Sequence, residues 1–360
     1  MKILAMYLPQ YHETKENNEW WGKGYTEWTA VKNARPLFKN HNQPRRPFHN
    51  NYYDLVKQGV ETWTWQANLA KKYGVYGFCI YHYWFQGRQL LERPMEILRD
   101  HPEIDIRYCV CWANESWRKN WYGQKKTLLL EQTYGNIDDW IKHFNYLYSF
   151  FCDDRYIKIE NKPVINIYRS YDIKKLQEML NVWDKMAKER GFAGLYIVSA
   201  MTAGGYDERE FLFDAYYDFE PGFTLKKDLS FFQKRKYLLK VGLIRIFNMV
   251  SKKKILEHKI NIKMIYKRIE GRILPEKCFP GTFPQWDNTP RTGYQGLCYR
   301  NSSPQLYYNH MKTIWEKYAD NKIFLYINAW NEWGEGAYLE PDEENGYNYL
   351  ECIKRIVKEI

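Results

Sequence analysis

Near its C-terminal end the chain carries the stretch IFLYINAWNEWGEG, residues 323–336. Residues 323–327 are all apolar or aromatic, without the polar alternation of a half-exposed strand, so they predict a strand buried on both faces. Two glutamates, Glu332 and Glu335, follow shortly after it. In parallel barrels the loops after the strand C-termini build the active site. The stretch therefore predicts a buried strand with an acidic site at its carboxyl end.

Seven similar runs precede this one, and helical patterns separate them. The eight predicted strands are Ile3–Leu8, Val75–Trp84, Ile106–Trp112, Pro163–Tyr168, Leu195–Ala200, Ala215–Phe219, Cys278–Phe283 and Ile323–Asn328. Strands alternating with helices favour a closed parallel barrel over an open sheet. A length of 360 residues is ordinary for one such barrel. We therefore predict an α/β protein, a single (β/α)₈ TIM barrel domain over residues 1–360.

Two segments interrupt the regular alternation. Residues 9–57 form a long first βα loop rich in Trp, Asn, His and Pro, and residues 224–274 form an insertion after the sixth strand. The net charge of +11 belongs to this insertion, because residues 226–272 contain fifteen Lys/Arg and three Asp/Glu. Long loops inside compact domains are usually functional. Both segments are expected to matter for what the barrel does.

The basic insertion also contains many apolar residues, which leaves two interpretations open. Amphipathic helices of this composition bind peripherally to anionic membrane surfaces. Alternatively, a helical cap packs its apolar face on the barrel while its charges are solvated. Nucleic-acid binding is not expected, because no aromatic-rich basic groove motif accompanies the charge.

The rest of the composition excludes several classes of site. None of the seven cysteines lies in C-x-x-C spacing, and the eight histidines form no H-E-x-x-H motif, so we expect neither a metal nor another cofactor. No run approaches the roughly 20 apolar residues that span a bilayer. Free thiols favour a reducing compartment. A cytoplasmic location, including the inner face of the membrane, is the expectation.

Glu332 and Glu335 are the predicted catalytic pair. Glycoside cleavage needs one carboxyl to protonate the leaving oxygen and a second to act as base or nucleophile. Two acids on one short loop are unusual for this task, and they suit a mechanism in which a substrate hydroxyl, activated by one acid, displaces the leaving group. The competing interpretation is a solvated polar turn.

Many of the aromatic residues, 18% of the chain, stand among polar neighbours, which suits oligosaccharide or polysaccharide binding. Each candidate could equally hold a loop in shape, and for Asp287 and Arg291 an internal ion pair is expected. The predicted substrate-binding residues are Tyr7, Glu27, Trp28, His82, Trp84, Asn114, Glu115, Tyr168, Glu220, Asp287, Asn331 and Trp333.

Several motifs resemble one known family along almost the whole chain. Residues 331–336, NEWGEG, look like the N-E-W-x-E-G signature of family 99 glycoside hydrolases, the endo-α-mannosidases and endo-α-mannanases. The resemblance is closer to their WbsX-like branch from bacterial polysaccharide and O-antigen gene clusters. The motifs that carry it are YLPQYH (7–12), EWWGKGYTEW (19–28), YHYWF (81–85), CWANE (111–115) and WDNTPR (286–291).

The resemblance implies a (β/α)₈ barrel and a retaining mechanism. Glu332 matches the acid that deprotonates the 2-hydroxyl of the sugar to give an anhydro-sugar, and Glu335 matches the acid that protonates the leaving oxygen. Outside the final loop the chain departs from the true hydrolases. Two alternatives stay open: a glycosyltransferase of polysaccharide biosynthesis, and a non-catalytic glycan-binding barrel. The absence of D-x-D and of G-x-G-x-x-G after a strand argues against the usual nucleotide-sugar sites.

Overall fold

The computed structural model describes residues 1–119 and 127–359. Each of the eight predicted runs forms a strand of one parallel sheet. In chain order the strands are β1 (Lys2–Tyr7), β2 (Gly77–Phe85), β3 (Arg107–Trp112), β4 (Lys162–Ile167), β5 (Tyr196–Met201), β6 (Ala215–Asp218), β7 (Cys278–Phe279 and Gly281–Thr282) and β8 (Phe324–Ile327).

The sheet closes on itself, which confirms the predicted barrel. Strand β1 pairs with both β2 and β8, and its Leu4 lies opposite Gly77 on one side and Tyr326 on the other. Strand β7 completes the ring in two pieces: the piece before Pro280 pairs with β6, and the piece after it pairs with β8. Proline has no N–H to donate to a ladder, so the pairing changes partner there.

Eleven helices accompany the strands in the described chain. They are α1 (Lys15–Trp21), α2 (Glu27–Asn33), α3 (Gly59–Tyr73), α4 (Arg93–Asp100), α5 (Ile137–Phe151), α6 (Leu176–Glu189), α7 (Phe231–Val250), α8 (Ile262–Gly271), α9 (Thr289–Thr292), α10 (Pro304–Tyr318) and α11 (Asn348–Glu359). Helices α1 and α2 lie in the long first loop. Between β5 and β6 there is a 3₁₀ turn, Glu210–Leu212, in place of an α-helix.

The insertion after β6 is helical, as predicted, but its two helices differ in packing. Helix α8 buries Ile262, Ile265, Tyr266 and Ile269, so it packs on the barrel like the other outer helices. Of the twenty residues of α7, Val241 and Asn248 are the buried ones. The cap interpretation therefore describes α8, whereas α7 leaves most of its apolar side chains exposed. No helix in the described part of the chain combines the length and the apolar character needed to cross a bilayer.

Candidate active site

The acidic loop lies at the carboxyl end of β8. Asn331–Glu332 pairs with Ala337–Tyr338 in a short antiparallel ladder, and the residues between them form a 3₁₀ turn. Gly336 closes this turn with φ of +57°, a left-handed conformation that favours glycine. Both glutamates are thus presented at the end of the barrel where parallel-barrel active sites form.

Arg291 of α9 joins three carboxylates at this point. Its Nη2 donates to Glu332 at 2.9 Å and its Nη1 donates to Glu335 at 2.8 Å. Its Nε donates to Glu27, the first residue of α2, at 2.8 Å. The guanidinium fork binds carboxylates with fixed geometry. It therefore holds both predicted catalytic acids and one predicted binding residue in a single cluster.

Gly334 is needed where this cluster meets the acidic loop. A Cβ atom at this position would lie 1.7 Å from a carboxylate oxygen of Glu27 and 2.7 Å from Nε of Arg291. No side chain fits at the first distance without moving the Glu27–Arg291 pair. The glycine between the two acids is thus required by packing, in addition to any freedom it gives the turn.

Burial dominates the electrostatics of the two acids. It raises the pKa of Glu332 to about 8, Arg291 opposes this rise, and the charges of Glu335 and Glu27 add to it. The pKa of Glu335 is also raised, again by burial first, against the opposing effect of Arg291. The Glu332 side chain is 8% exposed, whereas the Glu335 side chain is 25% exposed. Near neutral pH the pair therefore retains a proton, which an acid/base pair needs.

Tyr81 and Tyr83 of β2 lie near the acids, although neither was predicted as a site residue. After burial, the charge of Glu332 is the next cause that raises the pKa of both Tyr81 and Tyr83. Successive strand side chains point to opposite faces, so the predicted His82 and Trp84 point the other way. The alternation separates residues 81 and 83 from residues 82 and 84, but nothing in the YHYWF motif tells which of these two faces meets the acids, because the whole strand is buried.

His82 and Trp84 pack against α5 instead. The Nε2 atoms of His82 and His143 lie 2.9 Å apart, and the Trp84 ring stacks on His143 with 4.5 Å between ring centroids. Burial lowers the pKa of His82 to about 3, so the imidazole is neutral. The structure thus places these two predicted substrate contacts between the barrel wall and its outer layer, away from the acids.

Tyr168 and Glu115 lie on the same side of the barrel as Glu335. Burial raises the pKa of Tyr168, and the charges of Glu115 and Glu335 raise it further. The exposed carboxylate of Glu115 pairs with Arg169 at 2.7 Å. Asn114 is buried, and its side chain accepts a hydrogen bond from the Arg169 amide at 2.8 Å and donates to the Arg169 carbonyl at 2.9 Å. Asn114 therefore shapes the loop, while Tyr168 and Glu115 remain accessible to a ligand.

A second layer supports the acidic loop from below. The Asn331 side chain accepts from the Leu8 amide at 2.8 Å and donates to the Leu8 carbonyl at 3.0 Å, which joins the loop to the end of β1. The indole N–H of Trp28 donates to the Tyr53 carbonyl at 2.8 Å. The predicted residues Asn331 and Trp28 are therefore fully occupied in positioning the chain around the acids.

Glu340, which the sequence analysis did not select, is the centre of this layer. It accepts hydrogen bonds from Trp333 Nε1 at 2.6 Å and from Gln66 at 2.7 Å. Gln66 in turn accepts from the Tyr7 hydroxyl at 2.7 Å. Burial raises the pKa of Glu340 to about 7, against these hydrogen bonds. The predicted Trp333 thus binds a buried carboxyl beneath the loop, and the predicted Tyr7 is linked to this carboxyl through Gln66.

Glu220 belongs to a separate cluster at the end of β6. Arg272 donates to Glu220 at 3.0 Å, to Asp228 at 2.9 Å, and to Asp218. Thr224 also donates to Glu220, at 2.7 Å. The carboxylate is buried and its hydrogen bonds are made within the protein. Glu220 therefore fixes the base of the insertion.

Asp287 does not pair with Arg291, so the expected ion pair between them is wrong. Because the Leu37 amide donates to Nδ1 of His41, the proton of that ring is on Nε2, which lies 2.7 Å from Asp287. Among the described residues, His41, Asp287 and Cys298 bring their ligand atoms within 4.8 Å of one another. The hydrogen bonds of His41 and Asp287 already use these atoms, so the group serves to hold the loop that carries Arg291.

Three kinds of known protein are similar to this chain. The family model described as "Glycosyltransferase WbsX" matches residues 3–353. The uncharacterized protein WxcX of Xanthomonas campestris pv. campestris is 31% identical over 358 residues, which cover 98% of this chain and 49% of the relative. The chain therefore spans about half the length of the curated relatives it matches.

Solved structures share the fold at low sequence identity. A GH99 endo-α-mannosidase from Bacteroides thetaiotaomicron is 13% identical with a TM-score of 0.57, over 99% of this chain and 96% of that one. A glycoside hydrolase-like protein is 12% identical with a TM-score of 0.56, over 99% and 93% of the two chains. With the barrel and its acidic loop in place, and with a family match over nearly the whole length, the chain belongs to the WbsX glycosyltransferase family.

Proposed function

We propose that this protein is a carbohydrate-active enzyme, a retaining glycoside hydrolase in which Glu332 and Glu335 catalyse bond cleavage. The observation that carries the proposal is the cluster of Glu27, Glu332 and Glu335 around Arg291 at the carboxyl end of the barrel. A purely structural cluster would neutralise its charges, whereas here three carboxylates share one guanidinium. The excess negative charge, together with burial, keeps a proton on the pair.

The two acids suit different steps of a substrate-assisted reaction. Glu332, the more deeply buried, takes the proton of a sugar 2-hydroxyl, and that oxygen attacks the anomeric carbon as the glycosidic bond breaks. Glu335, the more exposed, gives its proton to the leaving oxygen. Water then opens the anhydro-sugar: Glu335 removes a proton from the water and Glu332 returns one to the 2-oxygen. Two inversions at the anomeric carbon give net retention.

The proposed substrate is an oligosaccharide or polysaccharide with α-mannoside-like linkages, from bacterial surface polysaccharide or O-antigen metabolism. Tyr81, Tyr83 and Tyr168 give the acids an aromatic surround, which suits the apolar face of a sugar ring. A lipid-linked form of this glycan is included in the proposal. Seven free cysteines, six of them buried, are consistent with a cytoplasmic place of work.

Glycosyl transfer is the second candidate, because the family description names a glycosyltransferase. The same acids would serve if a sugar hydroxyl replaced water as the acceptor. The two reactions differ in the origin of the oxygen that reaches the anomeric carbon. In H₂¹⁸O, hydrolysis places the label on the new reducing end, whereas transfer leaves the product unlabelled.

The test combines this labelling with variants of the two acids. A panel of bacterial polysaccharides and lipid-linked oligosaccharides is incubated with the protein, and the products are analysed by mass spectrometry. Glu332→Gln and Glu335→Gln should each lower turnover by about 10²- to 10⁴-fold, the usual value of lost proton transfer. Glu344→Gln is the matched control and should keep full activity, because Glu344 is an exposed glutamate in the loop between the acidic turn and α11. Unchanged turnover in either acid variant would contradict the assigned roles.

A further inference from the structure

Helix α7 carries an apolar stripe that faces away from the protein. Along a helix of 3.6 residues per turn, positions 232, 239, 243, 246 and 250 fall within about 60° of one another. Their side chains are 62–83% exposed. The residues of this stripe are Phe232, Leu239, Leu243, Ile246 and Val250.

The opposite side of α7 attaches the helix to the molecule. Asn248 donates to the Ile255 carbonyl at 2.7 Å and accepts from the Ile255 amide at 2.8 Å. Arg245 donates to Glu257 at 2.6 Å. Because this side is held by specific contacts, the orientation of α7 is fixed and the apolar stripe is held outward.

Basic residues border the stripe and no acid does. Residues 231–254 contain eight Lys/Arg and no Asp/Glu. By helical angle, Arg235 lies on one side of the stripe, and Lys236 and Lys240 lie on the other. An exposed apolar surface rimmed by polar residues marks an interaction site, and a cationic rim fits an anionic partner.

We propose that α7 docks this protein on anionic membrane surfaces, with the apolar stripe in the acyl boundary and the basic rim on the lipid headgroups. Interfacial helices combine these two features. A second copy of the chain is a poorer partner for the stripe, because its own eight cationic residues would face the eight cationic residues of the first copy. Nucleic acid would satisfy the charge but leave the stripe in water.

The contacts of α7 place it at the end of the barrel that carries the acids. The short strand His258–Asn261, which follows the segment that holds α7, pairs with Leu297–Arg300. Leu297 hydrogen-bonds in turn with Asn288 at 2.7 Å, and the Asn288 carbonyl accepts from the Arg291 amide at 3.1 Å. Docking through α7 thus brings the acidic end of the barrel near the lipid surface. The inference goes beyond the proposed reaction and does not depend on it.

Vesicle flotation of the full chain, without any glycan, tests the proposal. Wild-type protein should float with phosphatidylcholine vesicles that contain phosphatidylglycerol at low salt, less at high salt, and least with phosphatidylcholine alone. Leu239→Glu/Leu243→Glu should weaken binding by more than about tenfold, since each leucine loses its apolar burial. Lys236→Glu/Lys240→Glu should weaken it by at least roughly fivefold per residue. Ile137→Glu, at an exposed apolar position of α5, is the control and should bind like wild type.

Three results would overturn the proposal. The first is wild-type protein that stays unbound at low salt with anionic vesicles. The second is equal flotation of the Leu239→Glu/Leu243→Glu variant. The third is a wild-type dimer in sedimentation velocity that the same variant dissociates while no protein floats, which would assign the stripe to contact between copies. Matching thermal unfolding curves for the variants exclude misfolding as the cause, and turnover of soluble glycan should be unchanged in all of them.

Discussion

Among the charged side chains, Arg291 has the largest effect on the pKa of both Glu332 and Glu335. It touches Glu332 and Glu335 directly, and it lowers the pKa that burial raises in each. It contacts them through different nitrogens of one planar guanidinium group. The same contacts therefore fix the positions of the two carboxyl groups and affect their protonation. We assign Arg291 as a positioning residue, and this role predicts an effect on the pH dependence of the reaction.

Removing the charge of Arg291 should shift the pH profile to the alkaline side. The proposed base, Glu332, works only when ionised, so kcat/KM rises with pH through its pKa of about 8. Arg291→Gln takes away the charge that lowers this pKa, and the acidic limb should move upward by about 1–3 pH units. Arg291→Lys keeps the charge but not the fork, so it should lower the rate with a smaller shift. A limb that stays in place in Arg291→Gln would contradict the assignment.

At the scale of elements, Arg272 joins the insertion to the barrel. It binds Asp218 and Glu220 at the end of β6, and Asp228 where the insertion begins. Burial raises the pKa of Asp218 to about 7, Arg272 opposes this rise, and Glu220 adds to it. The insertion is thus anchored to the barrel by ion pairs to Arg272. The guanidinium of Arg272 stabilises the charged forms of these buried acids.

Arg272→Met should destabilise the protein by about 3–5 kcal/mol, the usual cost of leaving buried charges unpaired. The loss should be greater at pH 8 than at pH 5. Without the arginine the folded-state pKa values of Asp218 and Glu220 rise further above their unfolded values, so stability present at low pH is lost as pH rises. Thermal unfolding at both pH values measures this. Arg268→Met, which removes a more exposed contact to Asp228, is the control and should cost at most about 1 kcal/mol. Equal losses in both variants would contradict the anchoring role.

At the scale of the whole molecule, the buried Glu332 of the candidate active site links the stability of the folded protein to pH. The folded-state pKa of Glu332 is about 8, above the ordinary value of about 4.3 for an unfolded chain. The contribution of Glu332 to stability is therefore fully present below pH ~4.3 and is lost as pH rises towards 8. Under the proposed mechanism, the burial of an acid that must ionise therefore lowers the stability of the protein at the pH of the reaction.

Glu332→Gln should accordingly unfold at a higher temperature than the wild type. Glutamine resembles the protonated acid, so the difference in Tm should grow from pH 5 to pH 8 and reach roughly 2 °C or more. Calorimetry across this range measures it, with Glu344→Gln as the control that shows no such trend. A Tm difference that is independent of pH would mean that Glu332 ionises in the folded protein as it does in water.

The eight strands, the barrel that they form and the location of Glu332 and Glu335 after the last strand could all be predicted from the sequence. Each buried parallel strand is a continuous apolar run, and the loop that follows it lies at the carboxyl end of the barrel. The barrel itself was predicted from eight such runs alternating with helices. The basic, apolar composition of residues 224–274 likewise predicted helices. It did not separate α8, which packs on the barrel, from α7, which does not.

The identity of the side chains that meet the acids could not be predicted from the sequence, because it depends on how the chain packs. A strand buried on both faces has no polar alternation, so nothing in YHYWF distinguished the face of Tyr81 and Tyr83 from that of His82 and Trp84. Arg291 reaches Glu27 across 264 residues of sequence, past the nearer Asp287. Ion pairing depends on distance and dielectric in space, and burial sets the pKa values of the acids. The distances between the charges and the burial of the acids are both defined only in the folded chain.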